Sequence, residues 1–234
     1  NDSYICKNNS KALTGLPSLA LSPSMVMLVN FLKLMLVLVG LSQAQIVYGG
    51  VDKTLVSWVH LEDESVRAGS ILTLQNGSEF DGIVFGELMA GKWMAGSDNW
   101  KRSEKNQEKY LDNDPEAGSL IQMAIVYQKD LISIFRDGNP YASHTARNID
   151  LLNKENNFVV FGKRHMGGGG GISGMIEDAR IYERALTLNE IKELVPNESS
   201  EIKPYAWWNF EYDASEQTGR FPHHELRIGA RVKN

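Results

Sequence analysis

The sequence predicts an all-β protein made of two antiparallel sheets packed face to face as a sandwich. Short β-rich segments recur along the 234 residues and are separated by turn signals such as Asn76-Gly77 and Asp137-Gly138. Residues 171–194 are typical of a strand with apolar side chains on both faces, followed by one short helix. The composition, 42% hydrophobic and 23% charged, is that of an ordinary globular chain.

The strand within residues 171–194 is predicted from period-two alternation. One face on this period consists of Ile172, Gly174, Ile176, Asp178, Arg180 and Tyr182. The alternation ends at Arg184, and Thr187 with Glu190 three residues later predicts a capping box at the start of a helix. The apolar stripe of that helix is formed by Leu188, Ile191, Leu194 and Val195. Pro196 is predicted to end it.

The other strands are predicted in chain order from alternation and from β-branched and aromatic residues. They cover residues 54–61, 70–75, 81–88, 92–97, 119–128, 131–136, 139–143 and 158–163. Residues 98–118 are rich in Lys, Glu, Asn and Asp, and we interpret them as an exposed loop or insertion. Residues 205–211 form a further β-rich segment after a polar linker.

Two segments resemble the laminin-G-like, concanavalin-A-like jelly-roll family. Residues 171–194 match its closing segment, in which a small residue precedes Ile-Glu-Asp, Arg-Ile-Tyr, Arg-Ala-Leu and a short helix ending in Glu-Ile. Residues 125–139 resemble its hairpin, which ends in Asp-Gly. The resemblance covers about residues 54–195 and implies a jelly-roll sandwich with one short helix after the closing strand. It implies no single function, because such sandwiches host lectins, adhesion modules and hydrolases.

The N-terminal region is predicted to contain a secretory signal peptide. Residues 25–44 combine a short segment carrying Lys33, an apolar core and a cleavage site ending at Ala44. Residues 1–24, which include the only cysteine, Cys6, are interpreted as a spurious or upstream extension. The sandwich is assigned to residues 45–196 and a linker to residues 197–204. Residues 205–234 are assigned to the last strand of the sandwich, to the start of a following module, or to both, with the chain beyond Gly219 favoured for the module.

Charge and cysteine content limit the partners that we expect. The formal net charge of −5 gives no reason to expect nucleic acid. A mature chain without cysteine differs from disulfide-rich animal domains, so we predict a secreted or periplasmic bacterial protein that contacts no membrane after signal cleavage. No cofactor is predicted, because the five histidines show no ligand spacing. A structural calcium ion near Asp178 is the alternative.

The sequence supplies no recognisable centre for glycoside hydrolysis. That reaction needs two carboxylates, and the Glu-x-Asp-x-x-Glu run of glucanases with this sandwich is missing. Residues 93–97, 164–171, 176–182 and 204–211 together resemble modules that precede the catalytic domain of glycoside hydrolase family 32-like proteins, which implies a catalytic domain downstream in the same polypeptide. That family's Asn-Asp-Pro-Asn-Gly motif is matched only in part by Asn113-Asp114-Pro115, so Asp114 is interpreted as a loop residue.

The function predicted from the sequence is non-catalytic, either binding a polysaccharide or oligosaccharide or positioning a catalytic domain. Binding sites of this kind combine aromatic rings with a few polar side chains. The candidate carbohydrate-binding residues are Trp93, Asp98, Trp100 and Arg102, with a second patch at Arg164 and His165. The alternative places Trp93 in the core and has Trp100 fix the loop.

Asp178 and Arg180 lie on one face of the closing strand and are predicted to form a structural ion pair. A second hypothesis for the parent protein is a family 32-like glycoside hydrolase acting on fructan or sucrose-type substrates. A third is a protein-adhesion module of the laminin type, which requires calcium.

Overall fold

The computed structural model describes residues 4–7, 51–112, 119–211 and 213–226. Its strands form two six-stranded sheets. The first sheet contains β1 (Tyr4–Lys7), β3 (Gly69–Asn76), β4 (Glu79–Phe85), β5 (Trp93–Ser97), β9 (Phe158–Phe161) and β12 (His223–Leu226). The second contains β2 (Lys53–Leu61), β6 (Ile121–Gln128), β7 (Leu131–Arg136), β8 (Asn139–Thr145), β10 (Gly174–Tyr182) and β11 (Ala206–Asn209). The helix α1 (Leu188–Lys192) follows β10.

The sheet topology confirms the predicted fold class. The strand orders are β12-β1-β9-β3-β4-β5 and β11-β10-β2-β6-β7-β8, and every pair of neighbouring strands is antiparallel. Several neighbours, such as β2 and β10, are distant in the sequence. Two antiparallel sheets with one short helix after the closing strand are what the jelly-roll resemblance implies.

The main hydrophobic core lies between the two sheets, and a second cluster covers the outer face of the second sheet. The largest fully buried apolar side chains of the main core include Trp93, Trp208, Tyr127, Phe85 and Phe221. The second cluster forms where the chain after β10 packs on β2 and β6, and its buried members are Val56, Trp58, Ala124, Val126, Tyr182, Leu186, Ile191 and Leu194. The closing strand β10 is therefore covered on both faces, as the sequence predicts.

The closing strand departs from the predicted alternation at one position. Its register with β2 shifts between Ile176 and Asp178, which marks a β-bulge at Glu177. Ile176 packs against the main core, whereas Tyr182 belongs to the outer cluster and Arg180 stacks on Trp58 of that cluster. The prediction that Ile176 shares a face with Asp178 is wrong, because a bulge inserts one residue that strict alternation does not count.

The start of α1 confirms the predicted capping box. The Thr187 hydroxyl accepts a hydrogen bond from the Glu190 backbone N–H at 3.3 Å, and the Glu190 carboxylate accepts one from the Thr187 backbone N–H at 2.7 Å. The helix is held on the sheet because Gln122 Nε2 donates to the Ile191 carbonyl at 3.0 Å. Its five residues form barely more than one turn, so this docking supports it more than helix propensity does.

Both ends of the described chain add strands to the sandwich. Although residues 1–24 are predicted to lie outside it, β1 pairs with both β9 and β12. The strand β11 pairs with β10, so residues 206–209 form the edge strand of the second sheet. Phe221 is buried beside Trp208, so the chain just beyond Gly219 packs on this sandwich. The predicted signal peptide, residues 25–44, lies outside the described residues.

Candidate functional site

The loop after β5, residues 98–112, crosses from the edge of the first sheet to the edge of the second. It begins with a short 3-10 turn. It is attached to β8 at two points, where His144 Nε2 donates to the Arg102 carbonyl at 2.8 Å and Tyr141 Oη donates to the Leu111 carbonyl at 2.7 Å. The loop is polar, as predicted, and it is bonded to the body of the sandwich.

The anchor of this loop is the side chain of Arg102, which is only 7% exposed. Its Nη1 donates to Asp98 Oδ1 at 2.8 Å, and its Nη2 donates to Asp81 Oδ1 at 3.1 Å and to the Phe80 carbonyl at 2.7 Å. Both carboxylates are buried as well. Arg102 therefore ties the start of the loop to β4 through hydrogen bonds to charged groups, which are the stronger kind.

Asp81 extends this network across the sandwich to β2 of the second sheet. Its Oδ2 lies 2.9 Å from Lys53 Nζ, and both side chains are about 1% exposed. Lys53 Nζ also donates to Asn148 Oδ1 at 2.8 Å and to the Ile149 carbonyl at 2.9 Å. The ammonium lies 4.5 Å from the centre of the Tyr127 ring. The buried charges thus alternate in sign, so each is compensated locally.

The electrostatics of the loop keep Asp98 and Arg102 ionised. Burial alone lowers the pKa of Arg102, but the neighbouring carboxylates of Asp81 and Asp98 outweigh it and raise that pKa above its ordinary value. Burial likewise raises the pKa of Asp98, and hydrogen bonds from Lys101 and Arg102 outweigh it and hold that pKa below its ordinary value. Asp98 and Arg102 are therefore fixed charges near neutral pH.

Trp100 is the one predicted aromatic residue that stays on the surface, with 38% of its area exposed. Asn99 and Trp100 both adopt left-handed backbone conformations, with φ of 48° and 53°. This conformation costs a residue such as tryptophan about 1–2 kcal/mol, whereas asparagine tolerates it better. The turn is closed by a hydrogen bond from the Lys101 N–H to the Asp98 carbonyl at 3.1 Å, and Lys101 Nζ lies 2.9 Å from Asp98 Oδ2. An exposed indole is thus held in a strained and anchored turn.

Trp93 does not take part in this surface, which corrects the prediction for that residue. It is fully buried in the main core, where its ring packs against Phe85 with 4.8 Å between ring centroids. Because Trp93 pairs with Phe85 at an inward-facing position of the sheet, no ring face is left for a ligand. Asp98 and Arg102 also need correction as direct contacts, because their side chains bond to each other, Asp98 also pairs with Lys101, and Arg102 also binds Asp81.

The second predicted patch adjoins the first at Phe80. The ring of His165 stacks on Phe80 with 5.1 Å between centroids, and the Phe80 carbonyl is the one that Arg102 binds. Arg164 forms an ion pair with the buried carboxylate of Glu87, and burial lowers the pKa of Arg164. Both residues thus pack against the first sheet, and the Arg164 guanidinium already has a protein partner.

Asp178 and Arg180 form a buried bidentate ion pair on the outer face of the second sheet. Arg180 Nε and Nη2 donate to the two carboxylate oxygens of Asp178 at 2.9 and 2.8 Å. The guanidinium lies between the rings of Trp58 and Trp207, about 5 Å from each centroid. Trp207 Nε1 donates to Asp178 Oδ2 at 3.0 Å. The pair joins β10 to its neighbours on both sides.

Sequence reasoning missed Lys53 and Asp81, the two charges at the centre of the network. Each stands within or beside a segment that otherwise predicts a half-buried strand, at a position where the alternation calls for an apolar residue. The sequence signals this buried pair only by placing two oppositely charged residues at apolar positions of two predicted strands, which belong to different sheets.

Neither a metal site nor a membrane span is found in the part of the chain that the structure describes. Within residues 4–7, 51–112, 119–211 and 213–226, no three His, Cys, Asp or Glu side chains are grouped so that they could hold a metal ion. None of the helices in those ranges has both the length and the apolar character of a membrane span. Asp114 of the partial Asn-Asp-Pro motif lies outside the described residues.

Comparison with protein families gives one match that covers most of the chain. A family model for the concanavalin A-like lectin/glucanases superfamily matches residues 41–192. Among curated proteins, no sequence match was found.

Solved structures with similar folds share little sequence identity with this chain. A putative carbohydrate binding protein from Bacteroides ovatus is 12% identical, with a TM-score of 0.53 and coverage of 78% of this chain and 55% of that one. Domain 4 of the GH43 extracellular arabinanase AbnA from Geobacillus stearothermophilus, in complex with arabinotriose, is 17% identical, with a TM-score of 0.45 and coverage of 61% and 65%. A heptameric SAP-like pentraxin from Limulus polyphemus is 12% identical, with a TM-score of 0.46 and coverage of 78% and 85%. The chain thus spans less than two thirds of the first two structures.

Proposed function

The chain belongs to the concanavalin A-like lectin/glucanases superfamily, and on that premise we propose that it is a non-catalytic carbohydrate-binding module of a secreted protein. This proposal rests on one observation. The exposed indole of Trp100 belongs to a turn in which two consecutive residues, Asn99 and Trp100, have left-handed backbones. Backbone strain of this kind persists only where the surroundings enforce it, and it concentrates at functional positions.

The chemistry of the turn suits a sugar ligand. The apolar face of a sugar ring packs against an aromatic face, and neighbouring polar groups reach the hydroxyls. Asn99 and Lys101, which flank Trp100, are both exposed and carry hydrogen-bond donors. Because the buried network already fixes the turn, little conformational freedom is lost when a ligand binds, and this favours affinity.

The carboxylates beside Trp100 support a binding role over a catalytic one. Hydrolysis of a glycosidic bond needs one carboxylic acid and one free carboxylate facing a cleft. Asp81 and Asp98 are buried and bonded to Lys53, Lys101 and Arg102. Neither is therefore available to donate a proton or to attack a sugar.

The test is retention of the protein on a panel of immobilised neutral and acidic polysaccharides that includes fructans. Trp100→Ala should weaken retention on the bound member by about thirtyfold in Kd or more, since truncating a central aromatic contact typically costs at least about 2 kcal/mol. Leu131→Ala is the matched control, because Leu131 on β7 is also a large apolar residue and is 44% exposed. Both variants should keep the wild-type melting temperature.

Equal retention of wild type and Trp100→Ala would refute the proposal for this site. If the wild type binds no polysaccharide, the alternative that remains is a module that positions a neighbouring domain. Retention or melting that depends on calcium, measured before and after chelation, would instead favour the adhesion hypothesis.

We further propose that the parent polypeptide is exported and carries a glycoside hydrolase domain downstream, of the family 32-like kind. This rests on the resemblance of residues 93–97, 164–171, 176–182 and 204–211 to modules that precede such domains. The codons that follow Asn234 test it, because an Asn-Asp-Pro-Asn-Gly motif is expected there. Mass spectrometry of the exported protein tests cleavage after Ala44.

A further inference from the structure

We infer that Arg102 is a positioning residue, which holds the strained turn that presents Trp100 without contacting the ligand itself. The inference rests on the proposed carbohydrate function for its biological meaning. Its structural content, that Arg102 fixes the pose of the Trp100 indole, is independent of any ligand and can be measured without one.

The first argument is that Arg102 is fixed through both its main chain and its side chain. Its backbone N–H donates to Ser97 Oγ at 2.9 Å, on the strand before the turn. Its carbonyl accepts from His144 Nε2, on the edge strand of the second sheet. The guanidinium is bound to Asp98, Asp81 and the Phe80 carbonyl. A residue held at so many points defines where the chain two positions before it lies.

The second argument concerns the ion pair between Asp98 and Arg102, which we call the clamp. Asp98 and Arg102 stand on either side of the left-handed pair Asn99-Trp100, and their side chains join at 2.8 Å. Opening the turn to relieve the backbone strain would separate these two groups and leave a buried carboxylate and a buried guanidinium with fewer partners. The ion pair therefore opposes relaxation of the turn.

The third argument is that the clamp is itself held from below. Asp81, the second carboxylate on Arg102, is bonded to Lys53 of the opposite sheet. The position of the guanidinium is thus fixed by contacts that reach both sheets and not only by its own loop. Planar bidentate geometry is specific to arginine, so lysine at position 102 would keep the charge and lose the fork.

The chain offers a matched control in Arg180. Both arginines are buried, both are paired with an aspartate on the same sequence segment, and both donate to backbone carbonyls. They differ in their aromatic neighbours: Arg180 stacks on Trp58 and Trp207, whereas Arg102 follows the exposed Trp100 by two residues. Arg102→Lys and Arg180→Lys should therefore disturb different tryptophans.

The experiment is ¹⁹F NMR of the full chain labelled with 5-fluorotryptophan, which gives one resonance for each of the five tryptophans. Trp100→Phe and equivalent single variants assign the resonances. Arg102→Lys should shift or broaden the Trp100 resonance and leave those of Trp58 and Trp207 in place. Arg180→Lys should do the reverse. For the polysaccharide that retains the wild type, the Kd of Arg102→Lys should be about tenfold higher, and the Kd of Arg180→Lys should equal that of the wild type.

An unchanged Trp100 resonance in Arg102→Lys overturns the inference, and so does an equal loss of retention in both arginine variants, since that would indicate general destabilisation. If Arg102→Lys does not fold, Asp98→Asn replaces it. This variant keeps Arg102 on Asp81 and Phe80 and weakens the contacts of Asp98 with Arg102 and Lys101, so the Trp100 resonance must move further than in Lys101→Met, which removes the second contact alone. A Trp100 shift with no polysaccharide bound by the wild type upholds the positioning role while refuting the proposed function.

Discussion

Replacing Lys53 by methionine tests whether the buried ion pair between the sheets contributes to stability. Methionine keeps most of the length and apolar surface of the lysine stem and removes the ammonium. Asp81 Oδ2 then loses its cation at 2.9 Å, the Ile149 carbonyl loses the Lys53 donor, and Asn148 Oδ1 keeps only the hydrogen bond from the Ile149 N–H. Breaking one side of a buried pair costs about 3–5 kcal/mol. Arg102 still binds Asp81 Oδ1, which argues for the lower end of that range.

The expected loss of about 3 kcal/mol corresponds to a melting temperature lower by about 6–12 °C for a domain of this size. Differential scanning calorimetry of the full chain measures it. Lys154→Met is the control, because it makes the same substitution in the ion pair with Glu79, where both side chains are about 40% exposed. An exposed pair contributes about 0–1 kcal/mol, so the control should melt within about 4 °C of wild type. If Lys53→Met melts as the control does, the buried pair does not stabilise the sandwich, and the argument from its burial fails.

Three further predictions concern residues around the site and the helix. The folded-state pKa of Asp98 is depressed, so its ionised form stabilises the fold at pH values above its ordinary pKa of 3.8. This stabilisation is lost as the pH falls through the lower folded-state pKa. The melting temperatures of wild type and Asp98→Asn should therefore converge as the pH is lowered from about 6 to about 3. Arg164→Ala should lower the melting temperature by about 2–12 °C, since it leaves the Glu87 carboxylate buried without a cation at a cost of about 1–3 kcal/mol, and a change under about 1 °C would contradict that. Thr187→Ala removes the cap of α1 and should cost about 1 kcal/mol in thermal or urea unfolding, while Thr187→Ser, which keeps the hydroxyl, should cost less.

The strands, the capping box and the Asp-Gly turn could be predicted because each depends on residues close together in the sequence. At that turn Asp137 and Gly138 both have positive φ, 50° and 66°, as a two-residue hairpin turn requires. Alternation failed where a single added residue, Glu177, reversed the faces of β10. No local pattern announces a bulge of this kind, since the pairing partner that exposes it is more than a hundred residues away in β2.

The candidate site was predicted in its residue types and only partly in its geometry. Trp93 and Trp100 are equivalent in the sequence, as two tryptophans beside polar residues. Their fates differ because Trp93 lies opposite Phe85 on the inward face of a strand, whereas Trp100 lies in a turn beyond the strand's end. Asp98 and Arg102 were identified as polar groups near an aromatic ring. Asp81, which binds Arg102, lies 21 residues before it along the chain, and spacing alone cannot show that Arg102 would be buried against it.

The two buried arginines support our proposal that the ligand site lies at the edge between the sheets and not on the closing strand. Arg180 is enclosed, because Trp58 and Trp207 cover its two faces and the backbone after α1 binds its remaining donors. Asn197, whose backbone N–H donates to Asp178 Oδ2, also has a left-handed backbone with φ of 62°, but it is a single asparagine, a residue type that tolerates this conformation. The Asp178–Arg180 pair therefore serves to hold β10. Arg102 carries the same kind of charge and is also buried, but it lies under a turn that contains two consecutive left-handed residues. A fold that needed only a loop at this edge would be more stable with glycine at positions 99 and 100. The proposed binding role of this turn accounts for its two consecutive left-handed residues, one of which is the exposed Trp100.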